Sequence, residues 1–226
     1  MTELSIDTAS ELASVSLSEQ GALLAEVTWR CRRNHTVELL PAIDRLLAEQ
    51  AMAMEGIAAL FVCSGPGMYT GLRVGISTAK GLAAALGLPL LAVARLELDA
   101  YPHAAFPGPI VAGHAAGRGE WAWAAYLGQP WREIAPPQLT PATLVAAGID
   151  MPLLLVGEAD AELADGLRAA GRECRLASGT ASVRRAGTLA ELGYLRLAAG
   201  APSDPALVRA IYLRPSAIGG QKPAGT

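Results

Sequence analysis

The chain has 226 residues, 52% hydrophobic, 17% charged and 5% aromatic, with 18 basic and 21 acidic residues and a formal net charge of −3. That composition excludes a disordered chain and requires a core built mainly of Ala, Leu, Val and Ile, in one large domain or two lobes of roughly 100 residues each. The charge balance offers no polyanion footprint, so contact with nucleic acid has to be local or lent by a partner.

From the N-terminus, "TELSIDTASELASVSLSEQGALLAEVTW" predicts three short strands. Leu4 and Ile6, then Ala13, Val15 and Leu17, alternate with polar neighbours, and "SEQG" makes the second turn of an antiparallel meander. "HTVELLPAIDRLLAEQAM" changes period. Val37, Leu40, Ile43 and Leu47 share one helical face, Leu39, Leu46 and Met52 are surplus to it, and Pro41 marks a kink or the effective helix start. "GIAALFVCSG" reads as a buried strand, "VGISTAKGLAAALG" as a helix closed by Gly87, and "LPLLAV" as another buried strand. The order β-β-β-α-β-α-β gives a mixed sheet covered by helices, closing near residue 100.

A second series follows. "PIVAGH" and "EWAWAAYLG" read as strands, with a break in alternation between Trp123 and Tyr126. "TPATLVAAG" reads as a short helix capped by Thr140, "MPLLLVGE" as a strand, and "DAELADGLRAAG" and "GTLAELGYLRLAAG" as helices. The partial echo, β-β-α-β-α, predicts an α/β chain of two related lobes with the second truncated. The expected division is 1–102, completed by 190–215; 103–189; and a flexible tail, 216–226.

Chemistry-bearing motifs are sparse. Cys31, Cys63 and Cys174 are odd in number, far apart and in no CxxC pattern, which argues against a disulfide framework or a zinc site. His35, His103 and His114 form no HxxxH or HExxH pair, and no GxSxG elbow is present. "MTELSIDTA" lacks the basic and apolar regions of a signal peptide, and no window reaches the ~18 apolar residues of a membrane span, so a cytoplasmic protein is expected. Asp7-Thr8 follows the first strand, where Asp can orient a metal-bound water or cap the turn. The segment "CSGPGMYTGLRVGISTAKGLA" is glycine-rich, but no Lys follows Gly71 and position 70 is Thr. Neither GxxxxGK[ST] nor GxGxxG is satisfied. A loop serving close backbone approach and an anion-accepting helix start both remain open.

"SIDTA", "HTVELLPAIDRLL", "CSGPGMYTGLRVGISTAKGLA" and "AIYLRP" together resemble the TsaB (YeaZ-like) family, in segments running from about residue 4 to 215. The resemblance implies a two-lobed actin-like/Hsp70-like ATPase fold (ribonuclease H-like) with mixed β-sheets. It implies a non-catalytic subunit that pairs with the homologue TsaD, which holds the metal and transfers the threonylcarbamoyl group to A37 of tRNAs reading ANN codons. The ATPase TsaE joins the assembly, and tRNA is met through the complex. This subunit requires no cofactor of its own, ATP or ADP in the assembled complex is left open, and a homodimer is implied for the isolated chain. Asp7 and Thr8 fall in the family's first-strand loop, and Gly65, Pro66, Gly67, Thr70, Gly71, Arg73 and Gly75 in its signature loop. The implied dimerisation and TsaD-binding surface takes in His35, Thr36, Leu39, Leu40, Ile43, Leu47, Ile76, Ala79, Lys80 and Ala83.

The chain departs from the family at Met68-Tyr69, where Ser or Ala followed by Phe is usual. It departs again at His114–Trp121, where the family has "DARRGEVY". A sugar-kinase-like phosphotransferase on the same fold, or a homodimeric binding module unrelated to tRNA, are the alternatives. The first needs a second phosphate loop with a catalytic Asp, and no such loop is visible.

Overall fold

The computed structural model describes residues 1–32 and 34–214. The expected tail, 216–226, lies outside them. Strands β1 (Thr2–Asp7), β2 (Leu12–Glu19) and β3 (Ala22–Arg30) form the antiparallel meander. Strands β4 (Ile57–Cys63) and β5 (Leu90–Val93) continue the sheet in parallel, in the order β3-β2-β1-β4-β5. Helices α1 (His35–Glu49) and α2 (Tyr69–Leu86) cover one face, packing Leu39, Ile43, Leu46, Ile76 and Ala79 on Leu4, Ile6, Val15, Leu17 and Val62. Helix α2 ends where Gly87 adopts φ +68°, a left-handed C-cap that glycine enters without penalty.

The other face of this sheet is buried as well. Ser5 pairs in register with Ser16, and Ser14, Ser16 and Ser18 are all 0–2% exposed. They lie beneath α5 (Ala186–Ala198), which packs across the sheet with Leu189 and Leu192 against Phe61 and Leu91. Alternating Ser in β2 signals a half-solvated strand, but here it provides small side chains under a helix. At the closest approach, a Cβ on Gly193 would stand 2.4 Å from the Phe61 ring. Glu3, fully buried, accepts from Ser18 Oγ at 2.6 Å and from the Gln20 and Gly21 amides, which fixes the β2–β3 turn.

The second sheet repeats the plan. Strands β6 (Ile110–Ala115), β7 (Glu120–Gly128), β8 (Trp131–Pro141), β9 (Leu153–Gly157) and β10 (Cys174–Leu176) run in the order β10-β9-β6-β7-β8, again a meander extended by two parallel strands. The expectation of a truncated second lobe is therefore corrected for the sheet, which keeps all five strands. The reduction is helical: where α1 stands in the first half, the second has only a 3₁₀ turn, Ala142–Leu144. "TPATLVAAG" is accordingly not a helix. Its first residues end β8, whose Pro136 and Pro137 fall at a register shift against β7 between Trp123 and Ala125. β8 is an edge strand, and proline is tolerated at edges and bulges because it has no N–H to give to the ladder.

The last helix of each half crosses to the other. Helix α3 (Arg95–Ala100) packs Leu96 and Ala100 on the second sheet, against Ile110, Ala124 and Val156, while α5 covers the first sheet. Helix α4 (Ala161–Ala169), capped by Asp160 accepting from Leu163 N at 2.8 Å, covers the opposite face of the second sheet. The ends of β1, β4, β6 and β9, with α3, therefore converge on the boundary between the lobes.

Candidate interlobe site

The Gly-rich segment lies at that boundary as loop and helix together. Thr70, Gly71, Arg73 and Gly75, expected in a loop, occupy the first two turns of α2. Gly67, Gly71 and Gly75 form a stripe facing the loop after β1. A Cβ on them would stand 2.1 Å from Ala9 O, 2.1 Å from Thr8 O and 2.2 Å from Thr8 Oγ1. Thr8 Oγ1 donates to Gly71 O at 2.7 Å, and His35 Nε2 donates to Ser10 O at 2.9 Å, so α1, α2 and the first-strand loop are clamped together. Gly65 holds φ +91° and, like Pro66, is buried. Thr70 and Arg73 are exposed, and Arg73 stacks on the Tyr69 ring at 3.9 Å.

The residues expected at a partner surface divide. His35, Leu39, Ile43, Leu47, Ile76, Ala79 and Ala83 are all at most 8% exposed and belong to the interior of the first lobe, so in this fold they are core residues, not surface ones. Thr36 and Leu40 are exposed and Lys80 is half-buried. The core face of α1 is His35, Leu39, Ile43, Leu46 and Leu47. It leaves Val37, expected inside, 74% exposed and Leu40 48% exposed. Helix α1 also runs unbroken through Pro41.

The end of β1 carries a charge network that the sequence did not reveal. Arg184, ahead of α5, donates through Nε to Asp7, through Nη2 to Ser10 Oγ at 3.1 Å and through Nη1 to Asp99 Oδ1 at 3.2 Å. Arg95 continues it: Nε lies 3.6 Å from Asp99 Oδ2, and Nη2 lies 2.6 Å from Glu158 Oε1 at the end of β9. Asp7, Arg184, Asp99, Arg95 and Glu158 thus alternate in sign from the first sheet to the second, and only Glu158 is exposed. Burial raises the Asp99 carboxyl above its usual range against the pull of Arg184 and Arg95. Burial likewise pushes the Cys63 thiol well up, with Asp7 adding to it, which keeps that strand-end cysteine inert. The i,i+4 spacing of Arg95 and Asp99 in "RLELDA" was the one legible hint. Nothing in "SVRRAG" distinguishes Arg184 from Arg185, whose Nε reaches Glu26 at 2.9 Å.

Beside the network lies a cleft of about 630 Å³, lined by Ser10–Leu12, Pro66–Met68, Arg95, His114, Glu158 and Ile211–Arg214 among others. His114, at the end of β6, lies by Arg95 and Glu158. Burial first, then the Arg95 charge, lowers its pKa from 6.5 to about 3. Its Nδ1 is buried without a hydrogen-bond partner. The unfolded chain binds a proton at His114 below pH 6.5 that the folded chain refuses until about pH 3, so stability falls with acidification across that window. Between pH 7 and about 4.5, the wild type should lose about 1.4 kcal/mol per unit below the unfolded pKa more than His114→Asn, read as the gap in urea midpoints. Equal losses in the two proteins would remove His114 from the account.

Among the described residues no group of three or more His, Cys, Asp or Glu is placed to hold a metal ion, and no helix is long and apolar enough to cross a membrane. A family model described as TsaD, tRNA N6-adenosine threonylcarbamoyltransferase, matches residues 23–153. The tRNA threonylcarbamoyladenosine biosynthesis protein TsaB of Bacillus subtilis is 37% identical over 120 residues, 53% of this chain and 52% of that protein. This match spans about half the length of the curated relative. A Pseudomonas aeruginosa protein described as similar to peptidase YeaZ superimposes with a TM-score of 0.77 at 28% identity, over 94% of this chain and 99% of that one. The Pseudomonas aeruginosa YeaZ structure gives 0.76 and 26% with the same coverage. The fold is the actin/Hsp70-like ATPase fold with mixed open sheets. The chain belongs to the TsaD family, in its TsaB (YeaZ-like) branch.

Proposed function

We propose that the chain is the non-catalytic partner of a TsaD-type transferase in forming N6-threonylcarbamoyladenosine at A37 of tRNAs reading ANN codons. In this reading it acts in the cytoplasm, TsaD holds the metal, TsaE and tRNA join through the complex, ATP or ADP enters only there, and the isolated chain pairs with itself. The partner-facing lobe is residues 1–102 with the C-terminal segment from 190, and 103–189 form the second lobe. The observation that carries the reading is the outer face of α1, where Val37 and Leu40 stand exposed. On α2, Gly81 is exposed, and an added Cβ there would meet no atom within 4 Å. Exposed apolar side chains and an uncovered stretch of helix backbone each suit packing against a partner helix.

The test is complex formation with the cognate TsaD, followed by size exclusion with light scattering. Wild type should give a one-to-one complex. Val37→Asp and Leu40→Asp should each weaken it about tenfold or more, while stability stays within roughly 0.5 kcal/mol, as expected of exposed sites. A charge at Ala79 would test folding instead, since that residue is fully buried. Absence of a complex with TsaE and ATP present would overturn the proposal.

A further inference from the structure

The interlobe cleft is large enough for a small molecule, since pockets of roughly 300–1,000 Å³ are typical of such sites and this one holds about 630 Å³. Its lining joins an apolar set, Leu12, Met68, Leu139, Ile211 and Tyr212, to a polar wall of buried His114 and Arg95 with the exposed carboxylate of Glu158. The charges of this wall decide what can enter.

Every arginine lining the cleft already holds a carboxylate: Arg30 holds Glu11 at 3.0 Å, Arg95 holds Glu158 at 2.6 Å, and Arg214 holds Glu120. Behind them, Arg184 is shared between Asp7 and Asp99, which leaves the local sum at one excess negative charge. Among the described residues, an anion entering here meets no unpaired cation in the lining and would have to displace Glu158. A cation would find each carboxylate engaged and three guanidinium groups around it. Bringing either charge out of water without a counter-charge is strongly unfavourable. Among the described residues, Arg95 Nε and Nη2 and Asp99 Oδ2 have ion-pair contacts without an aligned hydrogen bond, so their charges are met, while the neutral ring of His114 has no partner of any kind at Nδ1.

We propose that this cleft binds an uncharged small molecule, with an apolar or aromatic body seated against Met68 and Tyr212 and an amide or ring-nitrogen head directed to His114. Glu158 acts as the selector, because its carboxylate pairs with Arg95, the buried cation beside His114 that an anionic head there would need. The proposal concerns the isolated chain and stands apart from its pairing with TsaD.

Two neutral–anionic pairs test it on the purified chain by protein-observed NMR titration: the isosteric nicotinamide and nicotinate, and adenosine against AMP. The uncharged member of each pair should bind about tenfold more tightly than the charged one, at millimolar affinity suited to so few atoms, and perturb amides of Gly67, Met68 and His114. Glu158→Gln removes the selector at a half-exposed side chain and should reverse the preference towards nicotinate. The proposal is overturned if the charged members bind as tightly in wild type, or if Glu158→Gln leaves the preference unchanged. Perturbations confined to residues outside the cleft, or no binding by either uncharged probe at about 20 mM, would also overturn it.

Discussion

Arg184→Met is expected to cost about 3–5 kcal/mol of stability, the loss typical of removing one member of a buried ion network. Arg184 is 6% exposed, and its removal leaves Asp7 and Asp99, both at most 6% exposed, facing each other without a cation between them. Two such carboxylates cannot both stay ionised, so one takes up a proton in the folded variant at a pH where the unfolded chain has released it. The folded variant then binds more protons than the unfolded one above the ordinary carboxylate range, so its stability drops further as pH rises. The urea-midpoint gap between wild type and variant should therefore be wider at pH 8 than at pH 5. Arg184→Met combined with Asp7→Asn removes one charge of each sign and should recover most of the loss. If the double variant is no more stable than the single one, Arg184 contributes through packing and not through charge.

Gly71→Ala is expected to be similarly severe. Its Cβ would stand 2.1 Å from the Thr8 carbonyl oxygen and 3.3 Å from the His35 ring, and all of these groups are buried. The clash is with backbone, so relief requires α2 to move off β1 and break the Thr8–Gly71 hydrogen bond at the same time. A loss of about 3 kcal/mol or more follows from overpacking a rigid contact. Gly81→Ala is the matched control nearly three turns further along the same helix, where the added methyl meets open space. It should leave stability unchanged or raise it by up to about 1 kcal/mol, because alanine is the better helix former. Thermal unfolding of the two variants side by side separates the contact from the general effect of glycine in a helix. Equal effects would show that the Gly71 contact relaxes at little cost.

The two variants also divide what sequence can and cannot reveal. The glycines at positions 67, 71 and 75 have helical spacing, and their density marks a close approach of backbone. Which backbone they approach, the Thr8–Ala9 segment some 60 residues earlier in the chain, is written only in the packing. The same holds for the faces of α1. Val37, Leu40, Ile43 and Leu47 satisfy helical periodicity as well as the residues that are in fact buried. The helix is apolar around enough of its circumference that only the positions of α2 and the sheet choose between them.

The sequence by itself determined the local grammar of this protein: the meander of β1–β3, the helices α2, α4 and α5, the stop at Gly87, the Gly-rich segment that leads to the family, and the lack of a phosphate-loop lysine. These depend on alternation, period and backbone sterics, which act within a few residues. Tertiary structure alone decided the rest. It made the serine face of β2 an interior surface by laying α5 over it. It drew the proline-bearing segment 131–141 into an edge strand, where absent N–H groups cost nothing. It also joined Asp7, Arg184, Asp99, Arg95 and Glu158, which the sequence scatters over more than 170 positions, into one buried run of alternating charge. Burial and Coulomb pairing depend on distance in space, and no local pattern encodes which distant residues the fold will bring within 4 Å.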